Sequence, residues 1–290
     1  MIICKNVSQK YKSNTVLSNI NLELKTGVYG LIGENGAGKS TLLKLLIGQI
    51  SPREGSIRIS GKDPKVGKMD MGYLPQKFDF FQNISLYDSL EYVGILKGIH
   101  KDKLPLEIEY WLKKMNLLSE RKKRVGLLSG GMKQRLGIAQ AFIGAPKYVL
   151  LDEPTVGLDP RERLAFRNLV NEIGSDKVIL ISTHIVEDVR ATCENIIVLK
   201  KGSLLFTGAT EDFISGVNKK IYTVHIPKNQ LSSLSSCLDI ISIKLFGEVL
   251  EVRFAENEYS LELKDKKQET CNLEDAYFLT TGMSYKKEEN

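Results

Sequence analysis

Gly33-Glu34-Asn35-Gly36-Ala37-Gly38-Lys39-Ser40-Thr41 is the stretch that decides the fold. It fits the pattern G-x-x-x-x-G-K-[ST], and its flanks give the pattern mechanical meaning. Val28-Tyr29-Gly30-Leu31-Ile32 reads as a short buried parallel strand, and Leu42, Leu43, Leu45, Leu46 and Ile47 recur at helical spacing. Strand, glycine loop and helix in that order predict an anion nest. Gly33, Gly36 and Gly38 let backbone N–H groups turn inward at the positive end of a helix, where phosphate charge is stabilised. Lys39 is placed to reach β- and γ-phosphates, and the Ser40 hydroxyl to ligate Mg²⁺. The plainer alternative, a glycine-rich turn with an exposed lysine, would not need both flanks to be right.

Composition narrows the class. The chain has 290 residues, 42% hydrophobic and 26% charged, enough for one large domain and a smaller one of ordinary globular type. No run approaches the ~18 apolar residues that a membrane helix needs. The longest, such as Val178-Ile179-Leu180-Ile181, are strand-sized, so a membrane would have to be spanned by another chain. Met1-Ile2-Ile3-Cys4-Lys5 enters a strand-like segment without the features of a secretory leader. Cys4, Cys193, Cys237 and Cys271 are scattered without a C-x-x-C, which predicts reduced, mostly buried thiols. A net charge of +6 spread along the chain argues against a dedicated nucleic-acid binder. Arg121-Lys122-Lys123-Arg124 is the one dense basic cluster; it reads as a solvated turn ahead of a contact to anionic lipid or a partner.

Period-2 patterns before residue 30, as in Val16 to Leu24, suggest antiparallel strands. Tyr11 lies between two of them and could stack on a purine base, although a half-buried strand tyrosine explains it as well. Beyond the glycine loop, Met71 to Leu74 is a short strand closed by Pro75. Gln76 follows at the carboxyl end, where open parallel sheets place groups that touch ligands. It could meet a metal-bound water, or be a polar loop residue. Phe78, Phe80 and Phe81 in an otherwise polar loop either pack inward or line a groove for another protein's helix.

From Ser85 to about Ala145 the apolar residues recur at helical spacing, which predicts an α-helical subdomain inserted into an α/β core. At its end, Ser129, Gly130 and Gly131 open a helix that carries Gln134, a second anion-facing helix start. Tyr148 to Glu153 is an apolar strand ending in two carboxylates. Asp152 suits Mg²⁺ held through water, and Glu153 suits a base that polarises a water for in-line attack on a γ-phosphate. Asp159 in the following tight loop is a candidate contact across an interface. Val178 to Thr183 is another buried strand, and His184 at its end would hydrogen-bond developing phosphate charge. Ile196 to Leu199 and Ser203 to Phe206 complete the sheet. Residues 221–290 alternate differently, as a small α+β appendage with a hairpin around Phe246-Gly247-Glu248 and a helix ending at Gly282.

Together, Gly33 to Thr41, Gln76, Leu128 to Arg135, Leu150 to Pro154, Gly157 to Asp159 and His184 resemble the ordered motif set of ATP-binding-cassette ATPases. The likeness covers about residues 1–210. It implies a P-loop NTPase core with a mixed sheet, a RecA-like lobe, an antiparallel β lobe and the helical insertion, so that 1–216 would be the nucleotide-binding domain, with the subdomain at about 85–145. In that family Tyr11 matches the adenine-stacking aromatic, Ser129 to Gln134 the signature and Asp159 the loop named for its Asp. ATP and Mg²⁺ are the implied cofactors, with Asn35 and Ala37 in the phosphate loop and Gln76 also near the metal. Two such domains face each other head to tail, so Ser129 and Gly131 would serve a partner's ATP.

The tract Cys271 to Gly282 is similar to the ending of ATPase subunits of ABC-2 type bacterial exporters. That implies a homodimer on the cytoplasmic face of the cell membrane, bound to a separate permease that moves antibiotics, peptides such as phenol-soluble modulins, or lipids and polysaccharides. The alternatives are a cassette ATPase acting on ribosomes or DNA, and an importer subunit. A single cassette, the absence of a long coiled-coil insertion and the lack of a strong basic patch argue against the former.

Overall fold

A computed structural model describes residues 1–66, 70–77 and 81–282. The expectations for Phe78 and Phe80 fall outside the described residues. The chain forms two compact units, Met1–Thr207 and Gly208–Asn290.

The first unit begins with β1 (Ile2–Tyr11) and β2 (Asn14–Leu24), an antiparallel pair joined by a tight turn at Lys12-Ser13. With β4 (Glu54–Ile59) they make a sheet in the order β2-β1-β4. β3 (Gly27–Ile32) leads through the glycine loop into α1 (Lys39–Leu46). It sits inside a six-stranded sheet of order β5-β6-β7-β3-β8-β9, made of β5 (Met71–Leu74), β6 (Tyr148–Asp152), β7 (Val178–Thr183), β8 (Asn195–Lys200) and β9 (Ser203–Ala209). From β5 to β8 every pairing is parallel. β9 returns beside β8 across the two-residue Lys201-Gly202 turn, as a hairpin. The sheet is therefore mixed, as the resemblance implies. Because parallel strands are covered on both faces, β6 and β7 are apolar almost throughout and buried at every position.

Register fixes where the strands end. Leu74 pairs with Leu151, Asp152 with Ser182, and Ile32 with Thr183. The next residues of these strands, Pro75, Glu153, His184 and Gly33, are thereby brought to one edge. The core beneath them is a single apolar cluster that joins the antiparallel sheet, α1 and the six-stranded sheet, with Leu17, Ile20, Leu42, Leu46, Leu150 and Leu180 at its centre.

The predicted helical insertion is α2 (Leu86–Leu96), α3 (Leu104–Lys114) and α4 (Gly130–Phe142), with short 3-10 turns between. Ser85 caps α2 in a capping box with Asp88. Trp111 of α3 stacks on Phe142 of α4, with centroids 5.3 Å apart. The basic cluster is a turn stitched to α2. Leu86 N and Tyr87 N donate to the carbonyls of Lys123 and Arg121, and Arg121 and Lys123 pair with Glu109 and Glu120. α5 (Pro160–Ile173) precedes β7, and α6 (Val186–Thr192) follows it.

The second unit contains α7 (Thr210–Ser215), β10 (Ile221–Pro227), α8 (Leu231–Ser235), β11 (Asp239–Phe246), β12 (Val249–Ala255), α9 (Glu258–Glu262), β13 (Lys267–Glu269) and α10 (Leu273–Thr281). Its boundary lies ahead of the expected break near 216–221, because α7 groups with it. The sheet is antiparallel, of order β11-β12-β10-β13. The period-2 pattern divides its faces: Tyr222, Val224 and Ile226 pack with Val252 and Phe254, whereas Ile221, Ile241 and Ala255 pack with Phe278 and Leu279 of α10. Asn272 caps α10, and Gly282 closes it with φ 67, the left-handed turn that glycine adopts without strain. Two cysteines, Cys4 and Cys193, are buried, and Cys237 and Cys271 are partly so. No helix of the described residues is long and apolar enough to cross a membrane.

Candidate functional site

The carboxyl edge of the six-stranded sheet holds a cleft of about 410 Å³, lined by Val16, Glu34, Asn35, Gly36, Gly38, Lys39, Ser40, Thr41, Gln76, Asp152 and Glu153. Val16, the phosphate loop, Gln76 just beyond β5, and the two carboxylates Asp152 and Glu153 at the end of β6 thus line a single space, although they come from four separate tracts of chain. Gly38 shows why the loop needs glycine. Its φ is 106, and a Cβ there would lie 2.6 Å from a Leu17 methyl and 2.9 Å from the Val16 carbonyl.

Lys39 is 7% exposed, and its ammonium donates to the carbonyls of Gly33 at 2.7 Å and Glu34 at 3.2 Å. Burial lowers its pKa, while Glu153 and Asp152 act to raise it. A buried cation held only by neutral carbonyls is suited to an anionic ligand, which could bring it full charge compensation.

Asp152 is 2% exposed and accepts a hydrogen bond from the Ser182 hydroxyl. That bond orients the carboxylate and explains a serine inside an otherwise apolar strand. Among the described residues no group of three or more His, Cys, Asp or Glu could hold a metal. The donor set that lines the cleft is Ser40, Gln76 and Asp152, all oxygen donors too few to complete a shell. That fits Mg²⁺, which takes few protein ligands and relies on phosphate oxygens and water for the rest.

Glu153 is 4% exposed, and both its carboxylate oxygens lie 3.0 Å from Nδ1 of His184. His184 remains half exposed, so one ring nitrogen grips the acid while the ring faces outward. The backbone of Glu153 is left-handed, with φ 53. For a residue with a β-carbon that costs about 1–2 kcal/mol, and it persists only where neighbours over-determine it. Here Glu153 N donates to Ser182 O at 2.9 Å. Nε2 of Gln134 donates to the Glu153 and Pro154 carbonyls at 3.2 and 3.0 Å. The hydroxyl of Thr155 donates to Asp188 at 2.7 Å, and Arg167 donates to the other oxygen of Asp188 at 2.8 Å.

The remaining expected site residues do not line this cleft. Ser129 is exposed and caps α4, accepting from Met132 N at 3.3 Å. A Cβ on Gly130 would meet nothing within 4 Å, whereas one on Gly131 would lie 3.2 Å from Glu162 and the Gly157 carbonyl. Asp159 caps α5 in a reciprocal box with Glu162, which also pairs with Arg135. Tyr11 is 45% exposed at the β1–β2 turn. Gln134, expected among the ATP contacts, points back into its own chain. Thr155, Arg167, Ser182 and Asp188 were not singled out by the sequence. A serine in the buried Val178–Thr183 strand was the only available signal among them.

Comparison with known proteins agrees with this geometry. The protein family described as ABC transporter matches residues 17–156. The uncharacterized ABC transporter ATP-binding protein YxlF of Bacillus subtilis is 31% identical over 227 residues, covering 78% of this chain and 77% of that protein. The lantibiotic transport ATP-binding protein SrtF of Streptococcus pyogenes is 36% identical over 71% of this chain and 89% of its own length. A solved dimeric structure of the ATP-binding cassette MJ0796, in a post-hydrolysis state with ADP and Pi, superposes with a TM-score of 0.65 at 26% identity, covering 72% of this chain and 98% of that one.

Proposed function

This chain belongs to the ABC transporter family as an ATP-binding subunit with ATPase activity, and from that premise we propose that it powers export as a homodimer bound to a separate permease. One observation carries the dimer. The cleft contains the phosphate loop, Gln76 and both carboxylates, yet Ser129 and Gly130, the open start of α4, lie outside it. An anion-facing helix start with no phosphate of its own is explained when it closes over the ATP of a second copy. Dimeric MJ0796 supports the arrangement.

Within each site Lys39 and the loop N–H groups bind the β- and γ-phosphates. Ser40, Gln76 and Asp152 would hold Mg²⁺, which when bound neutralises charge on the transferring phosphoryl group. Glu153 polarises the attacking water, and His184 fixes the Glu153 carboxylate while its exposed ring meets the γ-phosphate. Tyr11 stacks on the adenine, and Asp159 contacts the opposite copy.

The permease docks near Phe81. This ring is exposed and packs edge-on against Tyr92, beside exposed Ile95 and Leu96 of α2, an apolar surface suited to a partner's helix. Similarity to a lantibiotic transport protein supports an amphipathic peptide or antibiotic as cargo, phenol-soluble modulins among them, and a location at the cytoplasmic face of the cell membrane. The test is affinity purification of Glu153→Gln from membranes with ATP present. Recovery of one membrane-spanning chain, together with ATP-dependent dimers in light scattering, is expected. Recovery of ribosomes or DNA at moderate salt, or a monomer at saturating ATP, would overturn the proposal.

A further inference from the structure

Two groups from one short tract grip the Glu153 segment from different sides. His184 holds the carboxylate of Glu153. Asp188, in the first turn of α6, holds the residue two places beyond Glu153 by accepting the Thr155 hydroxyl bond at 2.7 Å. Its second oxygen accepts from Arg167 of α5 at 2.8 Å. Asp188 is 6% exposed, and Thr155 only 2%. A carboxylate at such depth is costly unless paired and hydrogen-bonded, and here both requirements are met by residues that do not line the ATP cleft.

The reason for this arrangement lies in the backbone of Glu153. At φ 53 it is left-handed, although the side chain is not glycine. The segment relaxes unless it is fixed on both sides of that residue. The bond from Glu153 N to Ser182 O fixes its leading side. On the trailing side the fixed points are Gln134, which donates to the Glu153 and Pro154 carbonyls, and the Thr155–Asp188 bond.

We propose that Asp188 is a positioning residue of the ATPase: anchored by Arg167, it holds Thr155 and thereby keeps the left-handed Glu153 aimed at the γ-phosphate. Asp188 touches neither ATP nor the attacking water. Its effect is on the geometry of the base, where a displacement of about 1 Å costs about 10²-fold in rate. The inference rests on the reading of Glu153 as that base.

The experiment measures ATP turnover, KM and equilibrium ATP affinity for the full chain and for Asp188→Asn, Thr155→Val, Thr155→Ser and Glu153→Gln. A Glu153→Gln/Asp188→Asn double variant is measured under single-turnover conditions. Asp188→Asn and Thr155→Val are each expected to lower kcat by about 10- to 100-fold while ATP affinity changes less than about threefold. Thr155→Ser, which keeps the hydroxyl, should recover most of the loss. In the Glu153→Gln background, Asp188→Asn should cost nothing further, because it acts through the missing carboxylate. Near-normal kcat in Thr155→Val, or a loss that multiplies undiminished in the double variant, overturns the proposal. Should Asp188→Asn fail to fold by thermal melt, the Thr155→Val and Thr155→Ser pair decides alone. Near-normal turnover in Glu153→Gln itself would remove the base and the proposal with it. An impaired Glu153→Gln beside an unimpaired Thr155→Val would sink the positioning role only.

Discussion

Nδ1 of His184 lies 3.0 Å from both carboxylate oxygens of Glu153. The two side chains arrive from different strands, β6 and β7, and meet because Asp152 and Ser182 are paired across those strands. A base that is buried, oriented by a histidine and aimed into a phosphate-sized cleft should account for a large share of the rate. Glu153→Gln is expected to bind ATP normally in equilibrium titration and to hydrolyse it about 10²- to 10⁴-fold more slowly. His184→Ala should lose a similar factor, and the double variant little more, because the pair acts as a unit. Independent, multiplying losses would show that the contact does not matter to the chemistry.

Much of this was legible beforehand because it is local. Strand, glycine loop and helix around Lys39 are adjacent in sequence, and Ser85, Ser129 and Asn272 announce their helices by capping chemistry. What was not legible depends on register or on backbone conformation. Nothing in a Glu-Pro-Thr tract signals that Glu153 is left-handed, since the usual marker of positive φ is glycine or asparagine. Asp188 was hidden for another reason: an acid in a helix's first turn already has an explanation in the helix dipole. The hydrogen bonds of Gln134 to the Glu153 and Pro154 carbonyls were hidden because they depend on the tertiary approach of α4 to the Glu153 loop.

A pH dependence originates in the helical insertion. The ammonium of Lys97 donates to the Ile143 carbonyl at 2.6 Å, and burial pushes its pKa down from 10.5 to about 8, against the opposing pull of Glu107. The folded value is below the unfolded one, so between about pH 8 and 10.5 the unfolded chain binds the proton that the folded chain releases. Stability therefore rises with pH across that window, and below it both states are protonated and the term is constant. The unfolding free energy of the parent minus that of Lys97→Met should be flat below pH 8 and increase toward pH 10, by urea titration at each pH. A flat difference throughout would contradict the burial of the charge.

The second unit is held by a fork. Arg253 donates to both oxygens of Asp275, at 2.7 and 2.6 Å, and Asp275 is 1% exposed while also accepting from Asn272 N at the start of α10. Arg253→Met leaves a buried carboxylate without its cation and should destabilise this unit by about 3–5 kcal/mol. Arg253→Met with Asp275→Asn should recover part of the loss. Trp111, the chain's single tryptophan, reports the first unit by fluorescence, and hydrogen exchange in β10 and β12 reports the second. Early loss of exchange protection in these strands, with an unchanged tryptophan transition, is expected. Unchanged exchange in Arg253→Met would refute the role of the fork.

The dimer makes the strictest demand, because each ATP would need Lys39 from one copy and Ser129 from the other. Lys39→Ala removes the buried ammonium that now rests on Gly33 O, and ATP affinity should fall at least about tenfold, the loss of one charge-assisted hydrogen bond. Ser129→Arg places a large cation at an exposed helix start outside the chain's own cleft, so ATP binding should persist while hydrolysis stops. At ATP concentrations below the weakened affinity of Lys39→Ala, each variant alone is expected to show no turnover. Mixed together, they can form a dimer in which one composite site has an intact Lys39 and an intact Ser129, so part of the turnover should return. Its size should follow the fraction of mixed dimers, read by titrating one variant into a fixed amount of the other. If Ser129 served the ATP of its own chain, no mixture would contain an intact site, and activity would stay absent at every ratio.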